Sequence, residues 1–357
     1  MIVGIDGRSL ARGQAGRGVA HYTHSLVGAL ARAHPDDTWR LLVPGGPGPA
    51  GAVPAGVELR ARRLPRRPLF ALAALAGRPR LDRLAGRPDV TWLPAPAPAA
   101  LSRDARFVLT LHDLSWVERP DDYTPYERAW HRAGRLDALA RRATRVMAVS
   151  EATRAAAVEH WGLDPERIAV VAPGVSAPAG PPAPPTGVPA RYLLFVGALE
   201  PRKGADLLLR AYARARRAGL GADLLVVGEG RLPIYGRGVH RLGRVADRAA
   251  LESLYAGAVA LVMPSRAEGY GLPPLEAAAC GTPSVVADLP PLAETLGDAA
   301  LRFPVDDEAA LAEALALIAR DDALRERLVK AAAARLEGRT WAAAAERAHA
   351  VLREAAG

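Results

Sequence analysis

Two glutamates with seven residues between them make the most chemically suggestive pattern in this chain. They lie in Pro264-Ser265-Arg266-Ala267-Glu268-Gly269-Tyr270-Gly271-Leu272-Pro273-Pro274-Leu275-Glu276-Ala277-Ala278-Ala279-Cys280-Gly281. The apolar run before it predicts a strand ending at Met263. A loop with two glycines follows, and a helix is expected from about Leu272. Pro273 and Pro274 fit its first turn, where a missing N–H costs little. Gly281 suits its C-terminal cap. Glycines let a backbone approach a ligand closely, and the N–H groups at a helix start favour an anion such as a diphosphate. Glu268 in the loop and Glu276 in the helix are acceptor-only carboxylates, suited to pairs of vicinal hydroxyls. Taken alone, each also fits an ordinary loop or helix-surface acid.

A second pattern supplies positive charge. In Leu194-Phe195-Val196-Gly197-Ala198-Leu199-Glu200-Pro201-Arg202-Lys203-Gly204, a strand runs into a turn, and Arg202 and Lys203 stand just before a helix. Arginine grips phosphate through two parallel N–H groups, and lysine adds a compact charge. Cations at a helix start oppose its dipole unless an anion accompanies them. Lys203 is one of only two lysines, the other being Lys330, in a chain with 47 Lys plus Arg, so its identity is not a product of arginine bias. A third pattern is Thr110-Leu111-His112-Asp113-Leu114. It puts His112 at the carboxyl end of a strand, where open α/β sheets bind ligands. Val226-Val227-Gly228-Glu229-Gly230 and Leu242-Gly243-Arg244-Val245 read as strand-end turns.

The stretch 264–281 resembles the signature of retaining GT-B glycosyltransferases of family 4, whose paired glutamates stand within Glu-Gly-[Phe/Tyr]-Gly-Leu-Pro-x-Leu-Glu. The Arg202-Lys203 turn is similar to the family's diphosphate-binding turn. Gly18-Val19-Ala20-His21-Tyr22 resembles its glycine-rich loop, with Ala20 in place of a glycine and His21 in place of a cation. The resemblance covers nearly the whole chain, and its motifs keep the family's order.

The resemblance implies two Rossmann-like, doubly wound α/β domains facing each other across a cleft. It also implies transfer of a hexose from a nucleoside diphosphate sugar to a hydroxyl of a glycan or lipid-linked glycan, with retention. The catalytic group it implies is His112, Glu268, Arg202 and Lys203. Donor contacts would come from Gly18, Arg202, Lys203, Gly228, Val245, Glu268, Gly269, Tyr270, Gly271, Leu272 and Glu276, with Glu268 on the sugar and Glu276 on the ribose. GDP-mannose is the expected donor, after mannosyltransferase-like bacterial members of the family. No resident cofactor or metal is expected. Two other readings stand beside this one: a sugar-nucleotide epimerase of the same fold, and a non-catalytic partner subunit, to which Ala20 points.

The elements needed to position these groups are legible as alternation. Short apolar runs at 2–5, 39–43, 90–93, 107–111, 146–149 and 168–171 are strand-like, as are 192–196, 224–227, 239–242, 260–263 and 284–287. Helix-period segments fall between most of them, including 21–33, 126–142, 152–160, 205–218 and 309–319. Continuous apolar strands alternating with helices predict parallel sheets covered on both faces. The Pro/Gly-rich run 176–190 reads as a linker between an acceptor-side domain, 1–175, and a donor domain, 191–340. A last helix, 341–357, is expected from the resemblance to pack back on the first domain.

Composition narrows the class further. The net charge of +9 is concentrated in residues 1–175, which hold 25 arginines against 17 acidic residues. Much of this excess reads as codon bias towards Arg, and no nucleic-acid recognition motif accompanies it. Arg60, Arg62, Arg63, Arg66 and Arg67 precede the apolar run Leu69-Phe70-Ala71-Leu72-Ala73-Ala74-Leu75. That pairing suits either a solvated loop before a packed helix or a peripheral contact with anionic lipid. Cys280 is the only cysteine, so no intrachain disulfide forms. With no signal-peptide pattern and no run of ~20 apolar residues, the expected location is cytoplasmic, with the option of the inner membrane face.

Overall fold

The computed structural model describes residues 1–10, 18–44, 53–62, 72–73, 76–95, 97–178 and 180–357. The chain divides into two compact units, Met1–Gly174 with Trp341–Gly357, and Val175–Thr340.

Among the described residues, the first unit holds seven strands: β1 (Ile2–Asp6), β2 (Thr38–Pro44), β3 (Val57–Arg62), β4 (Val90–Leu93), β5 (Phe107–Leu111), β6 (Arg145–Ala148) and β7 (Ile168–Val170). Their order is β3-β2-β1-β4-β5-β6-β7, and every pairing is parallel. The second unit holds β8 (Tyr192–Val196), β9 (Asp223–Val227), β10 (Val239–Gly243), β11 (Ala260–Met263), β12 (Ser284–Ala287) and β13 (Leu301–Phe303). These are also all parallel, in the order β10-β9-β8-β11-β12-β13. Both orders are doubly wound. The strand order reverses beside β1 in one sheet and beside β8 in the other, and the crevice outside the carboxyl ends there is where such sheets take ligands.

The apolar runs became the central strands because both of their faces are covered. Val90, Trp92, Phe107, Leu109 and Leu111 are all buried, as are Leu193, Leu194, Leu224, Leu225 and Leu261. Two strands were absent from the sequence expectation, and both are sheet edges. In β3, Glu58 and Arg60 lie on an exposed flank, where Glu58 Oε2 accepts from Arg40 Nε at 3.3 Å and from Arg60 Nη2 at 3.0 Å. The edge strand β13 has three residues and an exposed Arg302. The segment 126–142 is not one helix. It breaks at Arg135, which takes a left-handed backbone (φ 43°) between the helices Pro125–Gly134 and Leu136–Arg142. The first long helix spans Gly18–Ala33, so Gly18 to Tyr22 form its opening turns rather than a loop. Most of the basic-apolar stretch 63–75 lies outside the described residues, as does the glycine-rich text from Ala11 to Arg17. No described helix is long and apolar enough to cross a membrane.

The helix Trp341–Ala356 packs against Gly18–Ala33, within the first unit. Its buried face is mostly small, with Ala344, Ala345, Ala348 and Ala355, and this allows close approach. His349 stacks on His34 with ring centroids 3.5 Å apart and donates to Asp37 Oδ2 at 2.6 Å.

At the carboxyl end of β1, Asp6 and Arg8 form a buried ion pair, 2% and 3% exposed. Arg8 Nε and Nη2 reach the Asp6 carboxylate at 2.7–2.9 Å, and Nη1 donates to the Pro98 carbonyl at 2.6 Å. Removing one partner strands a desolvated charge, which costs far more than a surface pair is worth. Asp6→Ala is expected to lower the unfolding free energy by about 3–5 kcal/mol, read from urea denaturation.

Candidate functional site

The strand order of the second sheet reverses between β8 and β11, and the chain leaving each strand carries one of the two charge patterns. After β8, a single 3-10 turn, Pro201–Lys203, ends at Gly204, whose backbone is left-handed (φ 68°). Helix Ala205–Arg217 starts there. After β11 comes Pro264, then Ser265 and Glu268. The two exits touch at one point. A Cβ on Gly204 would stand 2.0 Å from the Pro264 carbonyl oxygen, so only glycine fits.

That approach brings Lys203 to Glu268. Lys203 Nζ donates to Glu268 Oε1 at 2.5 Å, with the side chains 17% and 8% exposed. Ser265 Oγ donates to the same oxygen at 2.6 Å. Both contacts fall on Oε1, which leaves the Oε2 lone pairs for a hydroxyl donor. The adjacent Arg202 donates from Nε to Glu200 Oε2 at 3.0 Å. Each cation at this helix start therefore has its own carboxylate, which answers the electrostatic objection to placing them there. Gly228 follows β9, and a Cβ on it would stand 1.8 Å from the Gly197 carbonyl oxygen. It packs the β9 exit against the turn that leads to Arg202.

The helix predicted from about Leu272 spans Leu272–Ala279. Gly271 precedes it with φ 92°, and a Cβ there would meet Leu292 at 2.4 Å. Pro273 and Pro274 carry no N–H, so the anion-binding capacity of this helix start rests on Gly271 and Leu272. Tyr270 is buried. Its hydroxyl accepts from Arg339 Nη1 at 3.0 Å, and its carbonyl accepts from Thr295 Oγ1 at 2.8 Å.

Glu276, 8% exposed, stands in a separate polar cluster. Arg248 Nη1 donates to its Oε1 at 2.6 Å, and the Tyr255 hydroxyl donates to its Oε2 at 3.1 Å. Burial and the facing carboxylate push the Tyr255 hydroxyl pKa well above its ordinary value, so it stays a donor. Burial works against the Arg248 charge, but Glu276 and Glu252 outweigh it and raise its pKa. Val245 packs on the apolar cluster that contains Tyr255, Val227 and Leu254. Val245 and Glu276 thus border the same patch, one through apolar contact and the other through a hydrogen bond. Cys280 is partly buried, and burial pushes its thiol pKa up to about 11.

His112 and Gly18 belong to the first unit. His112 Nε2 donates to the Pro94 carbonyl at 2.7 Å, joining the ends of β5 and β4. The Tyr22 and His112 rings pack T-shaped with centroids 4.8 Å apart, and Tyr22 lies about one turn into the helix that Gly18 starts. Burial lowers the His112 pKa, against the opposing pull of the Pro94 carbonyl and Asp113. Neutral imidazole is the form this site favours. Asp113 Oδ1 accepts from Ser115 N at 3.0 Å and from its hydroxyl at 2.5 Å, which is a structural role.

The second unit thus brings Lys203, Glu268 and the Arg202 turn together, and sets Glu276 with Val245. Sequence reasoning assigned no role to Ser265, Arg266, Arg248 or Tyr255. Ser265 and Arg266 lay inside the quoted motif, but nothing in its spacing revealed their partners.

Two family models match the chain. One, described as Glycosyltransferase Family 4, covers residues 16–177, and the other, Glycosyl transferases group 1, covers residues 190–321. Among curated relatives, a D-inositol 3-phosphate glycosyltransferase of Frankia alni is 33% identical over 232 residues, 57% of this chain and 56% of that protein. An O-antigen chain mannosyltransferase B of Escherichia coli is 31% identical over 245 residues, 62% of this chain and 63% of that protein. The chain spans less than two thirds of either relative. Among solved structures, sucrose-phosphate synthase from Thermosynechococcus elongatus superposes with a TM-score of 0.76 at 19% identity, covering 99% of this chain and 98% of that one. At that identity the likeness speaks for the fold.

Two measurements probe this geometry. Gly204→Ala forces a left-handed alanine against a carbonyl, and is expected to cost about 2–3 kcal/mol of unfolding free energy in urea. His112 has a lowered folded-state pKa, so the unfolded chain binds more protons as pH falls below about 6.5. Its contribution is fully present above that pH and is lost on acidification. His112→Gln is expected to flatten the stability curve of the protein in that window, and an unchanged slope would refute the assignment.

Proposed function

Because this chain belongs to glycosyltransferase family 4 and has its two-sheet GT-B fold, we propose that it transfers a hexose from a nucleoside diphosphate sugar to a hydroxyl of a glycan or lipid-linked glycan. The observation that carries this reading is the Lys203–Glu268 pair at the reversal point of the second sheet. A donor diphosphate is the anion that competes with Glu268 for the Lys203 ammonium. Displaced from Lys203, Glu268 turns its acceptor oxygens to the sugar hydroxyls. Glu276, already held by Arg248 and Tyr255, presents its remaining lone pairs to the ribose, and the nucleobase lies against Val245. Gly228, Gly269, Tyr270, Gly271 and Leu272 shape the backbone that lines the diphosphate and sugar.

In the reaction, the bond from the anomeric carbon to the diphosphate oxygen breaks, and a bond to the acceptor oxygen forms on the same face. The acceptor proton passes to a phosphate oxygen of the departing nucleoside diphosphate. Lys203 and Arg202 stabilise the charge that builds on that leaving group. Neutral His112, with its Nε2–H held by the Pro94 carbonyl, keeps Nδ1 as an acceptor for a substrate hydroxyl and adds no charge. Mannose, carried by GDP, is the proposed hexose, in keeping with the name of the Escherichia coli relative. The proposed setting is the cytoplasmic side of a membrane, with the basic flank that begins at Arg60 as a peripheral contact.

Nucleoside diphosphate sugars are to be screened by thermal shift, followed by a transfer assay with product configuration read by NMR. A donor at 100 times its Kd adds about 2.7 kcal/mol. Lys203→Ala and Glu276→Ala are each expected to remove most of that shift while the unliganded variants still fold, with a lowered melting temperature. Donor affinity unchanged in both variants would overturn the reading. Tight binding without turnover, across candidate acceptors, would favour a partner subunit.

A further inference from the structure

Arg266 stands two residues before Glu268 and is 11% exposed. Its guanidinium has five N–H donors, and four are committed. Nε donates to Asp306 Oδ1 at 2.5 Å. Nη1 donates to the Pro201 carbonyl at 2.5 Å and to Asp206 Oδ1 at 2.8 Å, and Nη2 donates to Asp206 Oδ2 at 2.9 Å. The backbone N–H of Arg266 donates to the Arg202 carbonyl at 2.8 Å. One residue of the acidic loop therefore holds the first two carbonyls of the cation turn and a carboxylate in the first turn of the helix that follows it.

This arrangement makes Arg266 a poor ligand for an anion. Its charge is spent on Asp206 and Asp306, and those contacts raise its pKa further. It is an effective brace. The turn Pro201–Lys203 is only three residues long and would swing about Gly204 if nothing held its other end. Close packing at Gly204 fixes one end, and Arg266 fixes the other. Lysine cannot reproduce the hold, because a single ammonium lacks the planar fork that grips a carboxylate with two nitrogens while also reaching a carbonyl.

We infer that Arg266 is a positioning residue for donor binding: with Asp206 it sets the span between the Lys203 ammonium and the Glu268 carboxylate, and so tunes how well a diphosphate sugar fits. The inference rests on the reading that those two groups hold the donor. Displacements of about 1 Å at such groups cost large factors in rate and affinity.

The test uses the full chain, with GDP-mannose and UDP-glucose as binding probes and the better of the two in the transfer assay. Arg266→Lys and Asp206→Asn are each expected to raise donor KM and Kd by about tenfold, with acceptor KM unchanged. The double variant is expected to be no worse than Arg266→Lys alone, because the Arg266–Asp206 contact that Asp206→Asn weakens is already lost in it. Asp306→Asn keeps a residue type that tolerates its left-handed backbone (φ 62°) and removes only the exposed arm. It is expected to leave donor KM within about twofold. A lowered melting temperature in Arg266→Lys with donor KM unchanged would make the residue merely structural and overturn the inference. If Arg266→Lys fails to fold, Asp206→Asn carries the same expectation. Loss of donor affinity in Lys203→Ala but not in Arg266→Lys or Asp206→Asn defeats this inference alone, and unchanged affinity in both Lys203→Ala and Glu276→Ala defeats the functional reading beneath it.

Discussion

At the reversal point of the second sheet, two backbones come closer than a methyl group allows. Gly204 lies against the Pro264 carbonyl. The polar pairing of the two strand exits follows from this contact. It brings an ammonium to a carboxylate across the gap between β8 and β11, and it starts a helix directly behind them. A partly desolvated lysine needs a counter-charge, and Glu268 provides one from the chain itself. An incoming anion must then be a better partner than a carboxylate already in place. A diphosphate, with more charge and more acceptor oxygens, meets that requirement where a lone hydroxyl or carboxyl would not.

Much of the fold was legible because parallel strands buried on both faces leave uninterrupted apolar runs. The runs at 107–111 and 192–196 became β5 and β8 with the same boundaries. The two strands that escaped, β3 and β13, are edges, where one flank meets water and Glu58, Arg60 or Arg302 breaks the run. The kink at Arg135 left no signal either, since a non-glycine residue in a left-handed conformation follows from tertiary packing rather than from its own propensity. Gly18 was assigned to a loop from its neighbours, but the chain turns helical at that residue.

The candidate site was legible residue by residue, and much less so as a set of partners. Glycines, prolines and acids in register marked the loop at 264–281, and adjacent cations marked the turn at 201–204. That Lys203 pairs with Glu268, 65 positions away, is a property of strand order, which local spacing does not encode. Arg248 and Tyr255 sit on a helix that reads as ordinary amphipathic text, and only folding brings them to Glu276. Arg266 was hidden by abundance, as one arginine among 45. Its importance lies in the number of contacts it makes at once, and no composition or pattern reports that.

The position of the last helix bears on how the chain acquires its shape as it is made. Residues 175–340 form a contiguous unit and have all their parts as soon as they emerge. The first unit does not, although its strands are synthesised earlier. Its helix Gly18–Ala33 waits for Trp341–Ala356 to cover it, and until then the His21, Tyr22 and His34 rings lack the Trp341 and His349 rings they pack against. The usual vectorial order, N-terminal domain first, is therefore inverted for this step, and the first unit stays incomplete until the second has been made.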